Sequence, residues 1–293
     1  MSITDKLNEQ FKAIHKVIWI ILLPIMLDIG ELNLFERIFK TEYEPISKLF
    51  TLKIGFISAP PSVRYILEDF PSLIQYNSSG FRGVINQVNL ASILLLLSFV
   101  LVTSFLSSGY LSVINKAGHQ KVIFKDFVKD GNKLWFKFFI LTLLGVIPIL
   151  LMFIKKEYGY FVFVYFVLVF VKYSIVVDNV GLKDNFKLGI NFLFQNLGLT
   201  IRMAFSFGIL FSFVGIVIHP LATIGMNGII IGAIITAYFG AVINKAVLEI
   251  YREVSLKQSE EIKEISPDQT IYQIKHSHSD MTPVVKEEGD SKP

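Results

Sequence analysis

Two long stretches without a charged side chain constrain what this chain can fold into. Residues 83–115 contain no Asp, Glu, Lys or Arg, and neither do residues 203–244. A transmembrane helix needs about 20 consecutive, mostly apolar residues, so each stretch can cross a membrane, and His219-Pro220 divides the second into two. Charged residues make up only 18% of the chain, against about 25% in soluble domains. We therefore predict an all-α, polytopic membrane helical bundle.

Further apolar segments raise the expected number of transmembrane helices to about six. The segment at residues 17–27 is followed by Asp28 and Glu31 without a small-residue cleavage pattern, so it is interpreted as an uncleaved first span and not as a signal peptide. Residues 1–250 then form one membrane domain, and residues 251–293, which are acidic and poor in large apolar groups, form a disordered cytoplasmic tail. The expected spans are residues 12–35, 89–114, 138–154, 158–177, 197–218 and 221–247.

The longest hydrophilic connection is the extracytoplasmic loop at residues 36–82. It is nearly neutral, and Pro60-Pro61 interrupts it. A segment of this length rarely buries a core by itself. We therefore expect its short amphipathic pieces, at residues 53–56 and 63–70, to lie at the membrane surface.

Two basic segments indicate an internal repeat. Residues 125–131 (KDFVKDG) and 183–189 (KDNFKLG) share Lys, Asp, Lys and Gly at the same offsets, and each follows an even-numbered span. Apolar residues at helical spacing around them predict basic amphipathic helices at the level of the lipid headgroups. The fold expected is thus a bundle with two cytoplasmic interfacial helices in a parallel repeat of span, helix and span.

The distribution of positive charge predicts the orientation. Lysines of the N-terminus and of both basic segments fall on one side of a six-span arrangement. Short loops rich in Lys and Arg are retained in the cytoplasm, so both termini are expected in the cytoplasm and the chain in the plasma membrane. Lys155-Lys156, on the opposite side, is the local exception.

Ionisable residues in or near the spans are the candidates for a functional site, because charge in hydrocarbon is costly. Of these, only Asp28 and Glu31, three residues apart on one helix face, are candidates to face the bundle interior, and the alternative is that they simply mark the outer end of the first span. Lys172, Arg202 and Lys245 lie near the inner boundary, where long side chains can extend to the headgroups. No acidic residue lies in the middle of the second to sixth spans, which argues against a proton-coupled transporter.

Small residues recur at every fourth position of the sixth span, at Gly228, Gly232, Thr236 and Gly240. Such spacing leaves a smooth face that another helix backbone can approach closely. It serves either a dimer or sliding gate, or, as we favour, ordinary packing within the chain.

Several classes of chemistry are excluded or disfavoured. The chain has no cysteine, which excludes disulfides, thiolate metal sites and cysteine nucleophiles. It contains no glycine-rich phosphate loop, HExxH or GxSxG motif. His276 and His278 lack a third ligand placed by a fold. We predict no catalytic residue, metal or cofactor, no nucleic-acid partner and no enzymatic activity.

The segments at residues 107–111 (SSGYL), 116–137 and 183–189 resemble a broad class of bacterial six-span integral membrane families. These families are related to the membrane domain that is fused to glycerophosphodiester phosphodiesterases. The resemblance covers roughly residues 10–255 and implies a six-helix bundle with interfacial helices. The phosphodiesterase domain of the fused proteins has no counterpart here, so the resemblance implies no catalysis.

Two functions remain open. The leading hypothesis is a scaffold or accessory subunit that contacts membrane lipids, or a membrane or cytoplasmic protein partner, through Lys125, Lys129, Lys183 and Lys187. Each lysine near an anionic leaflet contributes about 1 kcal/mol, although the same charges also serve simply to fix topology. The alternative is a permease or exporter of amphipathic or lipidic molecules, in which one repeat rocks against the other. A cavity lined by Asp28 or Arg202 would favour the permease, and a solidly packed interior would argue against it.

Overall fold

The structure is a computed structural model, and it describes residues 3–39, 52–67, 70, 73, 75–77, 80–82, 85, 89–154 and 163–265. The chain divides into two compact units, Met1–Ile250 and Tyr251–Pro293. Two short strands, β1 (Gln75–Asn77) and β2 (Gly80–Arg82), pair antiparallel. The α-helices are α1 (Ile3–His15), α2 (Leu22–Phe39), α3 (Leu90–Lys116), α4 (Phe124–Ile154), α5 (Phe163–Val177), α6 (Leu182–Gln195), α7 (Leu197–Ala222) and α8 (Met226–Ile265).

The predicted helical membrane architecture is confirmed at the level of helix length and composition. In the described part of the chain, four stretches are long and apolar enough to span a membrane, namely Ile18–Arg37, Leu90–Lys116, Leu197–Ala222 and Met226–Lys257. Large apolar side chains on their outer faces are exposed, such as Phe213 of α7 at 61%. A contiguous apolar surface of this kind is unfavourable in water and suits contact with lipid.

The first span begins later than predicted. Residues 12–15 belong to α1, a separate amphipathic helix, and a 3₁₀ turn at Ile18–Ile21 leads into α2. The ring of Phe11 lies 5.8 Å from that of Tyr238 and 5.7 Å from that of Phe239. Polar residues alternate with these apolar contacts along α1, which explains why it packs beside the bundle instead of crossing it.

The first of the two predicted interfacial helices does not exist as a separate element. α4 runs without interruption from the basic segment at residues 125–131 through the predicted span at 138–154. Apolar side chains continue in the same helical phase across the junction, so nothing ends the helix there. The second basic segment does form its own helix, α6, because Asn196 leaves the helical conformation (φ −117°, ψ 34°) before α7 starts. The internal repeat therefore stays a prediction.

The glycines at the end of both basic segments pack against the preceding helix, but differently. A Cβ at Gly189 would lie 2.6 Å from the backbone N of Val171 in α5. A Cβ at Gly131 would instead meet the ring edge of Phe105 in α3, at 3.2 Å. At these two glycines, the backbone of α6 thus lies directly against the backbone of α5, whereas Gly131 of α4 meets mainly the ring of Phe105, whose carbonyl oxygen lies farther away at 3.4 Å.

Replacing Gly189 with alanine is expected to lower the free energy of unfolding by about 1–3 kcal/mol, because the added methyl group meets backbone atoms that cannot rotate away. Gly131→Ala is the matched control. Its methyl group meets the far end of one ring, so a change within about 1 kcal/mol is expected. Thermal unfolding of both variants in detergent micelles measures the difference, and a larger loss for Gly131→Ala would contradict the assigned contacts.

Two predicted boundaries near the C-terminus are also corrected. α7 continues through His219-Pro220 to Ala222, and the turn before α8 contains Gly225 with a φ of +84°. Proline removes one backbone N–H and so leaves a carbonyl of the preceding turn without its helical partner. In transmembrane helices, neighbouring helices, Ser or Thr side chains or ordered water can satisfy such a carbonyl, so proline is tolerated. α8 reaches Ile265, so residues 251–265 are helical and not a disordered tail. Residues 266–293, with His276 and His278, lie outside the described residues, as do Lys155 and Lys156.

Candidate functional site

Residues 52–67, here called the re-entrant segment, pack against helices of the bundle, with Ile57, Val63, Ile66 and Leu67 buried and Leu52 and Ile54 more than half exposed. The backbone N–H of Gly55 donates to the carbonyl of Ala204 in α7 (3.1 Å), and Asn244 of α8 donates to the carbonyl of Ser58 (3.0 Å). At 1.5 Å per residue, Ala204 and Asn244 each lie about 27 Å from the turn that joins α7 to α8. The segment therefore reaches deep along both helices. The predicted surface location of residues 53–56 and 63–70 is wrong for Val63, Ile66, Leu67 and Phe70, which are buried, whereas Ile54 is exposed and residues 68 and 69 lie outside the described residues.

Non-helical backbone at this depth must find hydrogen-bond partners within the protein. The N–H of Lys53 donates to the hydroxyl of Ser212 (2.8 Å), in addition to the bond from Gly55 to α7. Pro60 and Pro61 have no N–H to satisfy. At Pro60 and Pro61 the re-entrant segment therefore has two fewer backbone N–H groups that need hydrogen-bond acceptors.

Glycines on α7 and α8 make the space that the re-entrant segment occupies. A Cβ at Gly208 would collide with the carbonyl oxygen of Lys53, and one at Gly240 would collide with Pro61. Gly55 has a φ of +131°, a conformation that requires glycine. Gly208 and Gly240 each let a helix backbone lie directly against the segment.

The small-residue spacing of the sixth predicted span is explained by packing within the chain. A Cβ at Gly228 would collide with the carbonyl of Leu221, and one at Gly232 would lie 2.9 Å from the side chain of Ile218. Both contacts are with α7, and Gly240 contacts the re-entrant segment. Of the two interpretations, ordinary packing is the one that these contacts support.

Asp28 of α2 anchors the re-entrant segment. One of its carboxylate oxygens accepts the hydroxyl of Ser62 (2.6 Å) and the other accepts the N–H of Val63 (2.8 Å). The residue is 3% exposed. Its carboxylate thereby caps the 3₁₀ turn at Val63–Tyr65 from another element. Both oxygens are engaged in holding the segment in place.

A cavity of about 380 Å³ lies beside the re-entrant segment. This volume is near the lower end of the range for small-molecule sites, roughly 300–1,000 Å³. Helices α2, α3, α4 and α5 contribute side chains to its wall. On α3 the lining residues recur at every fourth position, so one face of that helix borders the cavity over about 18 Å. They are Phe99, Thr103, Ser107 and Leu111.

The cavity brings together three of the five ionisable residues predicted from sequence to lie in or near the spans. Asp28, Glu31 and Lys172 all line it. Arg202 does not, because it lies exposed on the first turns of α7. Arg64 of the re-entrant segment also lines the cavity and lies 3.9 Å from the carboxylate of Glu31. Lys172 has no carboxylate partner among the residues that the structure describes.

A second cavity of about 190 Å³, here called the lower cavity, lies nearer the C-terminal ends of α3 and α5 than the first, which is called the upper cavity. On α3 the wall passes from Leu111 in the upper cavity to Ser112 in the lower, and on α5 from Tyr173 to Val176. The two linings are therefore adjacent, about 1.5 Å apart along α3 and about 4.5 Å apart along α5. The lower cavity is lined by Ser112, Asn115, Lys116, Asp130, Lys133, Leu134, Val176 and Asn179.

Lys245 of α8 lies buried near the C-terminal ends of α3 and α5. It was expected to extend to the headgroups, but it is 1% exposed. Its ammonium donates to the carbonyl of Asn115 (3.0 Å) and to the carboxylate of Glu249, which also contacts His119. These partners compensate the buried charge. The prediction that Lys245 extends to the headgroups is wrong, because its side chain is buried instead.

The four lysines of the proposed contact surface lie away from the cavities. Lys125 and Lys129 are exposed on α4, one turn apart, and Lys183 and Lys187 are exposed in the same way on α6. Within the described residues, no group of three or more His, Asp or Glu side chains could hold a metal ion.

Sequence reasoning missed several polar residues of the upper cavity. Arg64 was assigned to a surface loop, and Thr103 and Ser107 were treated as part of an apolar span. Hydroxyl groups four residues apart within a highly apolar helix were the available signal, because one polar stripe on such a helix faces either protein or water. Other lining residues of this kind are Ser58, Thr142, Tyr165 and Tyr173.

Comparison with known proteins adds no assignment to this geometry. No family model matches the chain, and no curated protein and no solved structure matches it.

Proposed function

We propose that the chain is a six-span permease of the plasma membrane for a small amphipathic molecule, and that the upper cavity is its binding site. The observation that carries the proposal is a cavity lined by charged and hydroxyl groups among apolar helices, of which α2 and α3 belong to stretches long enough to span a membrane. Ionisable groups at such depth mark substrate or ion pathways. Irregular backbone in a membrane likewise occurs where it is buried in protein or lines a cavity.

The remaining two spans are supplied by the apolar half of α4 and by α5. The amide of Asn115 donates to the carbonyl of Val176 (3.3 Å), which brings the C-terminal ends of α3 and α5 to the same level. Two spans that run in the same direction require this arrangement. The lysine-rich segments that follow them favour the cytoplasm for this face, and for both termini.

The stacked cavities favour a permease over a scaffold. A scaffold acts through its outer surface and gains stability from a solidly packed interior. Here the upper cavity, which charged and hydroxyl groups help to line, borders four helices. Its lining lies within about one helical turn of the lining of the lower cavity on α3 and α5. A permease needs such a thin barrier, because a small displacement of one element can open the path on either side.

A single cysteine in the upper cavity is expected to react with a membrane-impermeant methanethiosulfonate from both sides of the membrane. The chain has no cysteine of its own, so Ser107→Cys can be made directly in the full-length protein. Labelling is measured in right-side-out and in inside-out vesicles. Ser104→Cys, three positions away on the same helix and fully buried, is the matched control and should stay unlabelled.

The outcomes separate the candidate functions. Labelling of Ser107→Cys from both sides indicates alternating access. Labelling from one side only, or from neither, is the result expected of a static or sealed interior and would overturn the permease. The exposure of Lys125, Lys129, Lys183 and Lys187 is what a lipid or protein contact requires, so the scaffold stays the second candidate in that case.

A further inference from the structure

We infer that the molecule bound in the upper cavity is an anion whose acidic group, a carboxylate or a phosphate, pairs with Lys172. This inference rests on the proposed function, since it names the class of substrate for the same cavity. Its starting point is which charges of the cavity wall already have a partner and which do not.

Both carboxylates of the upper cavity are occupied. Asp28 accepts two hydrogen bonds from the re-entrant segment, and Glu31 faces the guanidinium of Arg64 at 3.9 Å. The Oε2 atom of Glu31 accepts no hydrogen bond from the described residues and faces Arg64 as an ion pair only. Glu31 and Arg64 offset each other in charge, and Asp28 is held by two neutral donors. Lys172 is therefore the charged group of this wall that has neither a hydrogen-bond nor an ion-pair partner among the described residues.

The surroundings of Lys172 suit an acidic group. A small recess beside its side chain, continuous in lining with the upper cavity, contains the hydroxyls of Thr142 and Tyr165. Hydroxyl groups can donate to an oxyanion alongside an ammonium. An ammonium removed from water without a counter-charge is costly, so an anion that enters the cavity stabilises the protein as well as being held by it.

The lower cavity repeats this imbalance. Lys116 pairs with Asp130, and Lys133 remains without a carboxylate partner in the part of the chain that the structure describes. An acidic group that moves from Lys172 in the upper cavity into the lower cavity therefore meets a second lysine that has no carboxylate partner among the described residues. The carboxylates that a cationic solute would meet among the described residues of this route, Asp28, Glu31 and Asp130, each have a partner in the chain.

The rest of the upper wall indicates that the anion also has an apolar part. Aromatic and aliphatic side chains also line the space, among them Leu27, Phe56, Phe99 and Val169. Apolar walls with a few convergent polar groups are typical of small-molecule sites. The expected ligand is thus a small amphipathic anion, either free in solution or as part of a lipid.

The test compares oppositely charged thiol reagents on the full-length Ser107→Cys protein in vesicles of phosphatidylcholine. The rate with sulfonatoethyl methanethiosulfonate is divided by the rate with its trimethylammonium counterpart, each normalised to its rate with free mercaptoethanol. We expect the anionic reagent to be favoured, Lys172→Gln to lower the ratio by about tenfold, as expected for one nearby charge at an intermediate dielectric, and Lys172→Arg to restore it.

Protection from labelling then identifies the source of the anion. Octyl phosphate is expected to slow the reaction of Ser107→Cys, whereas octyltrimethylammonium is not. Protection that appears only when phosphatidylglycerol is added to the vesicles assigns the acidic group to a lipid, and protection by octyl phosphate alone assigns it to a free amphiphile. Either result supports the inference.

The inference is overturned if the cationic reagent is favoured in the Ser107→Cys parent, or if Lys172→Gln leaves the ratio unchanged. The parent ratio decides the matter even if Lys172→Gln does not fold. A cysteine at 107 that reacts with neither reagent has a different meaning, because it removes the accessible cavity and with it the proposed function.

Discussion

Asp28→Asn is expected to lower the free energy of unfolding by about 2–4 kcal/mol, because hydrogen bonds to a charged group contribute about 1.5–3 kcal/mol each. The asparagine keeps one acceptor for Ser62 or for Val63, but it turns an NH₂ group toward the other donor. Two donors then face each other at a position that is only 3% exposed. The re-entrant segment loses its anchor on α2 as a result.

The matched control is Asp184→Asn on the first turn of α6. Asp184 is exposed and favoured mainly by the helix dipole, so its replacement is expected to cost less than about 1 kcal/mol. Thermal unfolding of both variants in the same detergent gives the comparison. Similar small losses in the two variants would mean that the Asp28 carboxylate does not hold the segment.

The long apolar helices could be predicted from sequence because missing charge is a local property. α3, at Leu90–Lys116, lies within two residues of the predicted span at 89–114. Charge marks such boundaries strongly, since a lysine in hydrocarbon is costly whatever surrounds it. The junction inside α4 carries no comparable signal. Whether a helix ends there depends on backbone conformations that composition does not report.

The re-entrant segment could not be predicted because its position depends on other parts of the chain. Lys53 and Arg64 make its average composition hydrophilic, and that average placed it in water. Its individual residues carry a different signal, since Ile57 and Val63 are buried apolar side chains. The space that they fill is created by glycines far away in sequence, Gly208 and Gly240 among them.

The candidate site could be predicted only in part, because some of its residues stand out locally in the sequence and others depend on how the helices pack. Asp28 and Glu31 stand out because an acidic pair on one face of an apolar helix is unusual in itself. Lys172 was assigned to the headgroups, because the sequence gives its distance from the end of a span but not which side of the helix meets a cavity. The partner of Lys245 was within reach of the sequence, because Glu249 lies one helical turn away.

Gly208→Ala is expected to lower the free energy of unfolding by an amount near the upper end of the roughly 1–3 kcal/mol range for overpacking. Its new Cβ would collide with the carbonyl oxygen of Lys53 and lie 2.9 Å from the Cα of Ile54. Neither atom can rotate away, because both belong to the backbone. The N–H of Lys53 is also held by Ser212. Gly30→Ala, where no atom lies within 4 Å of the new methyl group, should leave stability equal or higher.

Combining Gly208→Ala with Asp28→Asn tests whether both act through the re-entrant segment. If the segment is already loosened from α2, the methyl group on α7 has less to displace, and the double variant should lose less stability than the two single losses together. Residues coupled through a shared element typically deviate from additivity by about 0.5–3 kcal/mol. Unfolding of the two single variants and the double variant in one detergent gives this coupling free energy. Strict additivity would mean that the contacts on α2 and on α7 are independent, and that the segment does not move as one body.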